Sequence, residues 1–172
     1  ILDKIKTRLT KKLISEVVSN AVGIEAVDIA LYLKGKKDIS ELIIAKDMNI
    51  SIQEARALLY KLYEAHLTSF ERKRDKHKGW HISHWDFLDD NIHKLNLEQH
   101  QNKILLLRNR LDREQKNEFY MCGHACARVD FDKAVEVNFK CNECGALMNP
   151  VDNSRTIEVL SGKIQELESS IN

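Results

Sequence analysis

Residues 51–87 read SIQEARALLYKLYEAHLTSFERKRDKHKGWHISHWDF, and the hydrophobic periodicity of this stretch changes along its length. Ser51 with Glu54 three residues later is the signature of a capping box, which begins a helix. The apolar face of that helix consists of Ala55, Leu58, Leu59 and Leu62. Apolar and polar residues then alternate over 67–73 and again over 80–85, as they do in strands. The sequence therefore predicts a helix followed by a β-hairpin.

Shorter helices precede this stretch. Apolar residues at helical spacing predict amphipathic helices over residues 3–20 and 24–33. Ser40 can cap a third helix that runs to Met48. Two apolar helices separated by a short turn suggest helix-turn-helix, and the basic-tipped hairpin that follows makes the predicted domain a winged helix. We place this winged helix-turn-helix domain at residues 1–87.

Residues 88–118 carry two apolar stripes separated by a polar stretch, which fits one long helix or two helices with a break. Residues 108–117 are densely charged, so we expect them to be exposed to solvent. We interpret 88–118 as a helical linker. Residues 151–172 predict a terminal helix that Ser154 can cap. Its apolar seam can pair with a neighbouring helix or pack back on the chain, and it consists of Ile157, Leu160, Ile164, Leu167 and Ile171.

All four cysteines lie between positions 122 and 144, in the pattern C-x3-C-x14-C-x2-C followed by Gly145. A disulfide framework usually spreads its bridges over a chain, whereas this clustering indicates a metal. A module this small buries too little apolar surface to fold alone, and zinc supplies the missing free energy. We therefore predict a zinc ribbon at residues 119–150 with one structural Zn²⁺. The ligands would be Cys122, Cys126, Cys141 and Cys144.

Other interpretations of the cysteines are disulfides, unligated thiols, or replacement of one ligand by His124. Catalytic zinc usually has three protein ligands and an open position for water, so four filled positions indicate a structural ion. The sequence contains no phosphate-binding glycine loop, no H-E-x-x-H motif and no convincing nucleophile–base pair. We therefore expect a protein that is not an enzyme.

The tip of the predicted hairpin is basic, with two tryptophans behind it. Such a surface suits contact with phosphates or unstacked bases. The alternative is that the charges only keep the hairpin soluble, and that at least one of Trp80 and Trp85 packs in the core. The candidate nucleic-acid-binding residues are Arg72, Lys73, Arg74, Lys76, Lys78 and Trp80.

The remaining features limit the class of function. Gln53 and Arg56 are the only candidates for reading bases at the start of the 51–65 helix, which argues mildly against sequence-specific recognition. The net charge is only +1, so contact with nucleic acid depends on a local patch. The sequence has no apolar run that could span a membrane and no signal-peptide core, which favours a location inside the cell.

Several stretches together resemble one protein family. They are residues 53–64, the hairpin strand Gly79–Trp85 after a charged turn, and the ribbon stretches 131–134 and 139–145. With these stretches the chain resembles the alpha subunit of archaeal transcription factor E, which is related to the large subunit of eukaryotic TFIIE. It departs from the family in its wider first knuckle, where x3 replaces x2. It also has Gly123 and Asn142 where the family often has proline.

The resemblance implies a non-catalytic initiation factor that binds RNA polymerase near its clamp and stalk. Such factors act on promoter DNA together with the TATA-binding protein and the basal factors, where they assist melting and hold the complex open. A second factor E subunit is a further candidate partner, and the expected location is the archaeal cytoplasm at the nucleoid. The resemblance places the contacting surface at residues 72–78 with Trp80.

Two other functions remain as alternatives. The first is a dimeric, sequence-specific winged-helix repressor with a structural zinc, which would dimerise through its terminal helices and read bases with Gln53 and Arg56. The second is an enzyme with a catalytic zinc, which would need only three protein ligands and an exchangeable water.

Overall fold

The computed structural model describes residues 9–74 and 79–171. Within these residues, α-helices combine with two three-stranded antiparallel sheets. The chain divides into two compact units, Ile1–Gln99 and His100–Asn172, which we call unit 1 and unit 2. The mixed α+β class predicted from the sequence is confirmed.

Within its described residues, unit 1 contains seven complete helices and strands and the start of an eighth. They are α1 (Lys11–Ala21), α2 (Val27–Leu33), β1 (Ile39–Ser40), α3 (Glu41–Met48), α4 (Ile52–Glu64), β2 (Thr68–Arg74), β3 (His81–Phe87) and α5 (Asp89–Lys116). A 3₁₀ turn at Ile24–Ala26 leads into α2. The predicted helix over 3–20 corresponds to α1 where the structure describes it, and residues 1–8 lie outside the described part.

Side-chain caps determine where α3 and α4 begin, as the sequence predicted. The Ser40 hydroxyl oxygen accepts a hydrogen bond from the N–H of Leu42 at 3.3 Å. The Ser51 hydroxyl oxygen accepts one from the N–H of Glu54 at 3.1 Å. Each bond satisfies an amide that has no partner within its own helix. Asn49 ends α3 in a left-handed conformation with φ 55°, which closes the tight turn between the two helices.

The hairpin of β2 and β3 covers the apolar core of unit 1. The strand order is β1-β3-β2, and the register pairs Phe70 with Trp85. Trp85 is fully buried, and Tyr60 of α4 meets its ring edge-on at a centroid distance of 5.4 Å. This confirms the prediction that at least one tryptophan packs in the core. Trp80 precedes β3 and keeps 67% of its surface exposed.

Residues 88–118 form one long helix rather than two, since α5 is continuous from Asp89 to Lys116. Most of residues 108–117 are exposed, as expected from their charge. Glu114 is the exception, because only 1% of its surface is accessible. The expectation of a solvated segment is therefore wrong at this residue. No helix in the described part of the chain has the length and hydrophobicity that a membrane span requires.

Unit 2 continues from α5 with a small sheet and a final helix. Its further elements are β4 (Phe119–Cys122), β5 (Arg128–Asp130), α6 (Phe131–Glu136), β6 (Met148–Val151) and α7 (Ser154–Ile171). The strand order is β5-β4-β6, with both pairs antiparallel. The central strand β4 ends at Cys122, which places the first cysteine at the edge of the sheet.

The terminal helix forms where the sequence predicted it, but its start differs. Ser154 is the first residue of α7 and not its cap. The N–H and hydroxyl of Ser154 both donate to the Asp152 carboxylate, at 2.9 and 2.6 Å. Leu160 and Ile164 of the predicted seam are buried to 4% and 7% exposure. These two side chains are therefore covered by other residues of the same chain.

Candidate metal centre and basic hairpin

The four cysteine sulfurs of unit 2 lie within 4.8 Å of one another, and two of the cysteines are buried. Tetrahedral zinc with Zn–S bonds of about 2.3 Å separates its sulfurs by about 3.8 Å, which this arrangement accommodates. All four are free thiols. The donor set therefore fits a tetrahedral metal ion, and the group of ligand atoms consists of Cys122, Cys126, Cys141 and Cys144.

Both knuckles are loops of the same length, although their cysteines are spaced differently. The N–H of Cys122 donates to the carbonyl of Ala127 at 3.0 Å, and the N–H of Cys141 donates to Ala146 at 2.9 Å. In each loop this bond joins residues five apart. The wider first spacing therefore moves only the second cysteine within a loop of unchanged length.

A left-handed residue closes each knuckle, but at different places. In the first knuckle it is Ala125, with φ 57°, immediately before Cys126. In the second it is Gly145, with φ 72°, immediately after Cys144. Glycine adopts this conformation without strain. Ala125 was not recognised from the sequence, because alanine gives no signal for positive φ.

The electrostatics of the cluster require a cation if all four sulfurs are to be thiolates. The backbone N–H of His124 donates to the Cys122 sulfur at 3.3 Å and lowers the pKa of that thiol to about 6. The hydrogen bond between the Cys126 and Cys144 sulfurs raises the pKa of Cys126 to about 12. A bound divalent cation would stabilise the four negative charges together. His124 contributes its amide here, and its imidazole is outside the cluster of ligand atoms.

The apolar core around the cysteines is small. Its buried members are Cys122, Cys141 and Met148, with Tyr120 and Val129 packed partly against them. Two of these three buried residues are themselves candidate ligands. So small a core is below what usually sustains a fold on its own, which agrees with a metal as the main source of stability.

A buried ion pair joins β5 to the end of α5. The guanidinium of Arg128 donates to both carboxylate oxygens of Glu114, at 3.0 and 2.7 Å. Asn153 donates to the Glu114 carbonyl at 2.7 Å. Arg128 also lies over the Phe119 ring, 3.8 Å from its centroid. Because of the Arg128 guanidinium, the pKa of Glu114 lies below its usual range. No sequence pattern indicated this group of residues.

The hairpin separates the predicted nucleic-acid-binding residues into two sets. Arg72 and Arg74 are exposed on β2. Side chains alternate along a strand, so Lys73 lies on the other face, where it forms an ion pair with Asp38. Trp80 is exposed immediately before β3. Lys76 and Lys78 lie outside the described residues.

Arg56 does not present a free guanidinium on the α4 surface. It donates to both carboxylate oxygens of Glu41, at 3.0 and 2.6 Å. Glu41 is only 2% exposed, and its hydrogen bonds with the guanidinium raise the pKa of Arg56. Arg56 therefore compensates a buried carboxylate between α3 and α4. A contact with bases would require Arg56 to leave that carboxylate without its partner.

Comparison with known proteins shows one consistent family. A family model described as TFIIE alpha subunit matches residues 12–116. The Transcription factor E of Metallosphaera sedula is 32% identical over 161 residues, which is 93% of this chain and 92% of that protein. The Transcription factor E of Sulfolobus acidocaldarius is 33% identical over 152 residues, covering 88% of this chain and 89% of its own. That of Methanococcus maripaludis is 26% identical, with 95% of each chain covered.

Proposed function

The chain belongs to the TFIIE alpha subunit family of transcription initiation factors, and from this premise we propose that it binds RNA polymerase in the promoter complex and assists promoter melting. The contact would lie at the clamp and stalk region of the polymerase. The complex would include promoter DNA, the TATA-binding protein and the basal factors, with a second factor E subunit as a further partner. Its place of action would be the archaeal cytoplasm at the nucleoid.

We propose that residues 1–87 form a winged helix-turn-helix domain whose wing is the β2–β3 hairpin. The observation that carries the proposal is the hairpin itself, which follows α3 and α4 and exposes Arg72, Arg74 and Trp80. Two guanidinium groups beside an exposed indole suit the phosphates and unstacked bases of melted DNA. Lys73, which is paired with Asp38, would hold the hairpin against the β1 loop rather than contact DNA.

The remaining domains follow from the same proposal. Residues 88–118 would be a helical linker, 119–150 a zinc ribbon and 151–172 a C-terminal helix. The four cysteines would hold one structural Zn²⁺, whose role is to neutralise the thiolates and fix the two knuckles. Four thiolates leave no position for an activated water, so the function would be binding and not catalysis.

The repressor alternative is weakened by the arrangement of α4. It needs Arg56 to read base edges, and that guanidinium is bound by the buried Glu41. Gln53 would then be the single remaining candidate at the start of the helix. One side chain gives little discrimination among the base pairs of an operator, since each good bidentate contact contributes only about 1–3 kcal/mol.

Retention on immobilised archaeal RNA polymerase at low salt tests the proposed partner. We expect the full chain to be retained, and the double variant R72E/R74E to bind at least about fivefold more weakly because it reverses the exposed charge of the hairpin. The matched control K11E/K12E reverses two exposed lysines of α1 and should bind like the unmodified chain. No retention of the unmodified chain would refute polymerase as partner. Equal retention of both variants would refute the hairpin as contact surface.

A further inference from the structure

Unit 2 contains a groove that neither the metal centre nor the hairpin explains. It has a volume of about 420 Å³ and lies between α5 and the start of α7. Its rim carries Arg110 from α5 and Arg155 and Lys163 from α7. The apolar residues Val159 and Leu160 also line it. A volume of this size is within the range of sites that accept a small ligand or a few side chains.

The three cations of the groove are available for an external partner. Within residues 9–74 and 79–171, none of the three forms an ion pair with another side chain, and all are exposed. The single carboxylate in the lining is Asp152, which already accepts hydrogen bonds from the N–H and hydroxyl of Ser154. The groove lining therefore has an excess of positive charge, with three cations and one carboxylate that is already hydrogen-bonded. Arg110 also acts at longer range on Glu114, one helical turn further along α5.

Apolar surface accompanies this charge on both helices. Arg155, Val159 and Lys163 are spaced four residues apart, so they share one face of α7. Val159, between the two cations, keeps 48% of its surface exposed. On α5, Leu106 lies one helical turn before Arg110 and is 69% exposed. Cationic and apolar residues thus alternate on the face of α7 that lines the groove, and Leu106 adds exposed apolar surface next to Arg110.

We propose that this groove binds an acidic peptide segment of a partner protein, in which carboxylates flank an apolar side chain. The apolar side chain would lie against Val159, and the carboxylates would pair with Arg110, Arg155 and Lys163. Arginine pairs with carboxylates in a bidentate geometry. Single-stranded nucleic acid fits the groove less well, since its lining has no aromatic side chain on which bases could stack.

The probe for this proposal is a short fluorescein-labelled peptide that alternates pairs of glutamates with leucines, titrated with the full chain and followed by anisotropy. We expect saturable binding that weakens at least about tenfold in R155E/K163E, because the charge reversal repels the carboxylates. V159E should weaken binding similarly. The control K12E, an exposed lysine of α1, should leave binding within about twofold, as surface changes remote from a contact usually do.

Two further ligands test whether the binding depends on the apolar contact and whether the groove prefers peptide to nucleic acid. A peptide with serine in place of leucine should bind more weakly, since it lacks the apolar contact. An unlabelled oligothymidylate of equal charge should compete poorly. No saturable binding of the leucine peptide would overturn the proposal, as would equal binding by K12E and R155E/K163E. Stronger binding of the oligothymidylate would assign the groove to nucleic acid instead. Zinc content and circular dichroism of each variant check that the fold is retained.

Discussion

The variant C141A is expected to lose the ordered structure of residues 119–150 while α1 to β3 stay folded. Cys141 is 2% exposed and supplies both a candidate metal ligand and part of the small core beside Cys122 and Met148. Structural zinc contributes about 10–16 kcal/mol in small modules, more than such a core can replace. The core of unit 1 contains none of the cysteines, so its apolar contacts remain.

Amide hydrogen exchange, followed by mass spectrometry, tests this prediction by measuring the protection of each segment. Protection of residues 119–150 should fall to the level of an unfolded chain in C141A, together with loss of bound zinc, while residues 11–74 keep theirs. N142A is the matched control, since it changes an exposed residue of the same knuckle. Loss of both units in one cooperative transition would contradict the prediction. So would a ribbon that stays protected without metal.

The variant R128A is expected to destabilise unit 2 by about 3–5 kcal/mol, the usual effect of leaving a buried charge without its partner. Its partner Glu114 has a fully buried side chain and receives both guanidinium bonds. Asn153 donates a further bond to Glu114 at 3.2 Å, which is too little to replace a charge. Urea unfolding of unit 2 measures the loss.

The pH dependence of this effect has a definite sign. Because Arg128 lowers the pKa of Glu114 in the folded chain, the stability from this pair is present above the unfolded pKa of about 4.3 and is lost as the pH falls through the folded value. The difference in the free energy of unfolding between R128A and the unmodified chain should therefore become smaller as the pH is lowered. R113A, which removes an exposed arginine of α5, should change stability by less than about 0.5 kcal/mol. Equal destabilisation by both variants would contradict a buried pair.

The features predicted from the sequence are those that depend on short-range patterns. Ser40 and Ser51 cap their helices because a hydroxyl needs only the amide two or three residues later. The four cysteines were identified as a group by their clustering and spacing, because two or three intervening residues allow the two sulfurs of each pair to meet. The alternation of apolar and polar residues in β3 indicated a strand but did not determine which of its two faces is buried. The structure shows that Ser83, Trp85 and Phe87 form that face.

The features missed are pairings between charges that are distant in sequence. Glu114 lies in a segment whose charge density is typical of a solvated surface, and its partner Arg128 is in another element. Arg56 and Lys73 were both interpreted as available for DNA. Each is bound by a carboxylate at least 15 residues away. Single-sequence patterns do not report such contacts, because charged residues look alike whether paired or exposed.

The most direct test of the proposed role is permanganate reactivity of unpaired thymines at a weak promoter, with archaeal polymerase and its basal factors, in the presence and absence of this protein. We predict more reactive thymines around the start site when the protein is present, a gain that R72E/R74E loses and K11E/K12E keeps. Unchanged reactivity across several promoters would contradict the role in melting, and would favour a repressor with a specific operator.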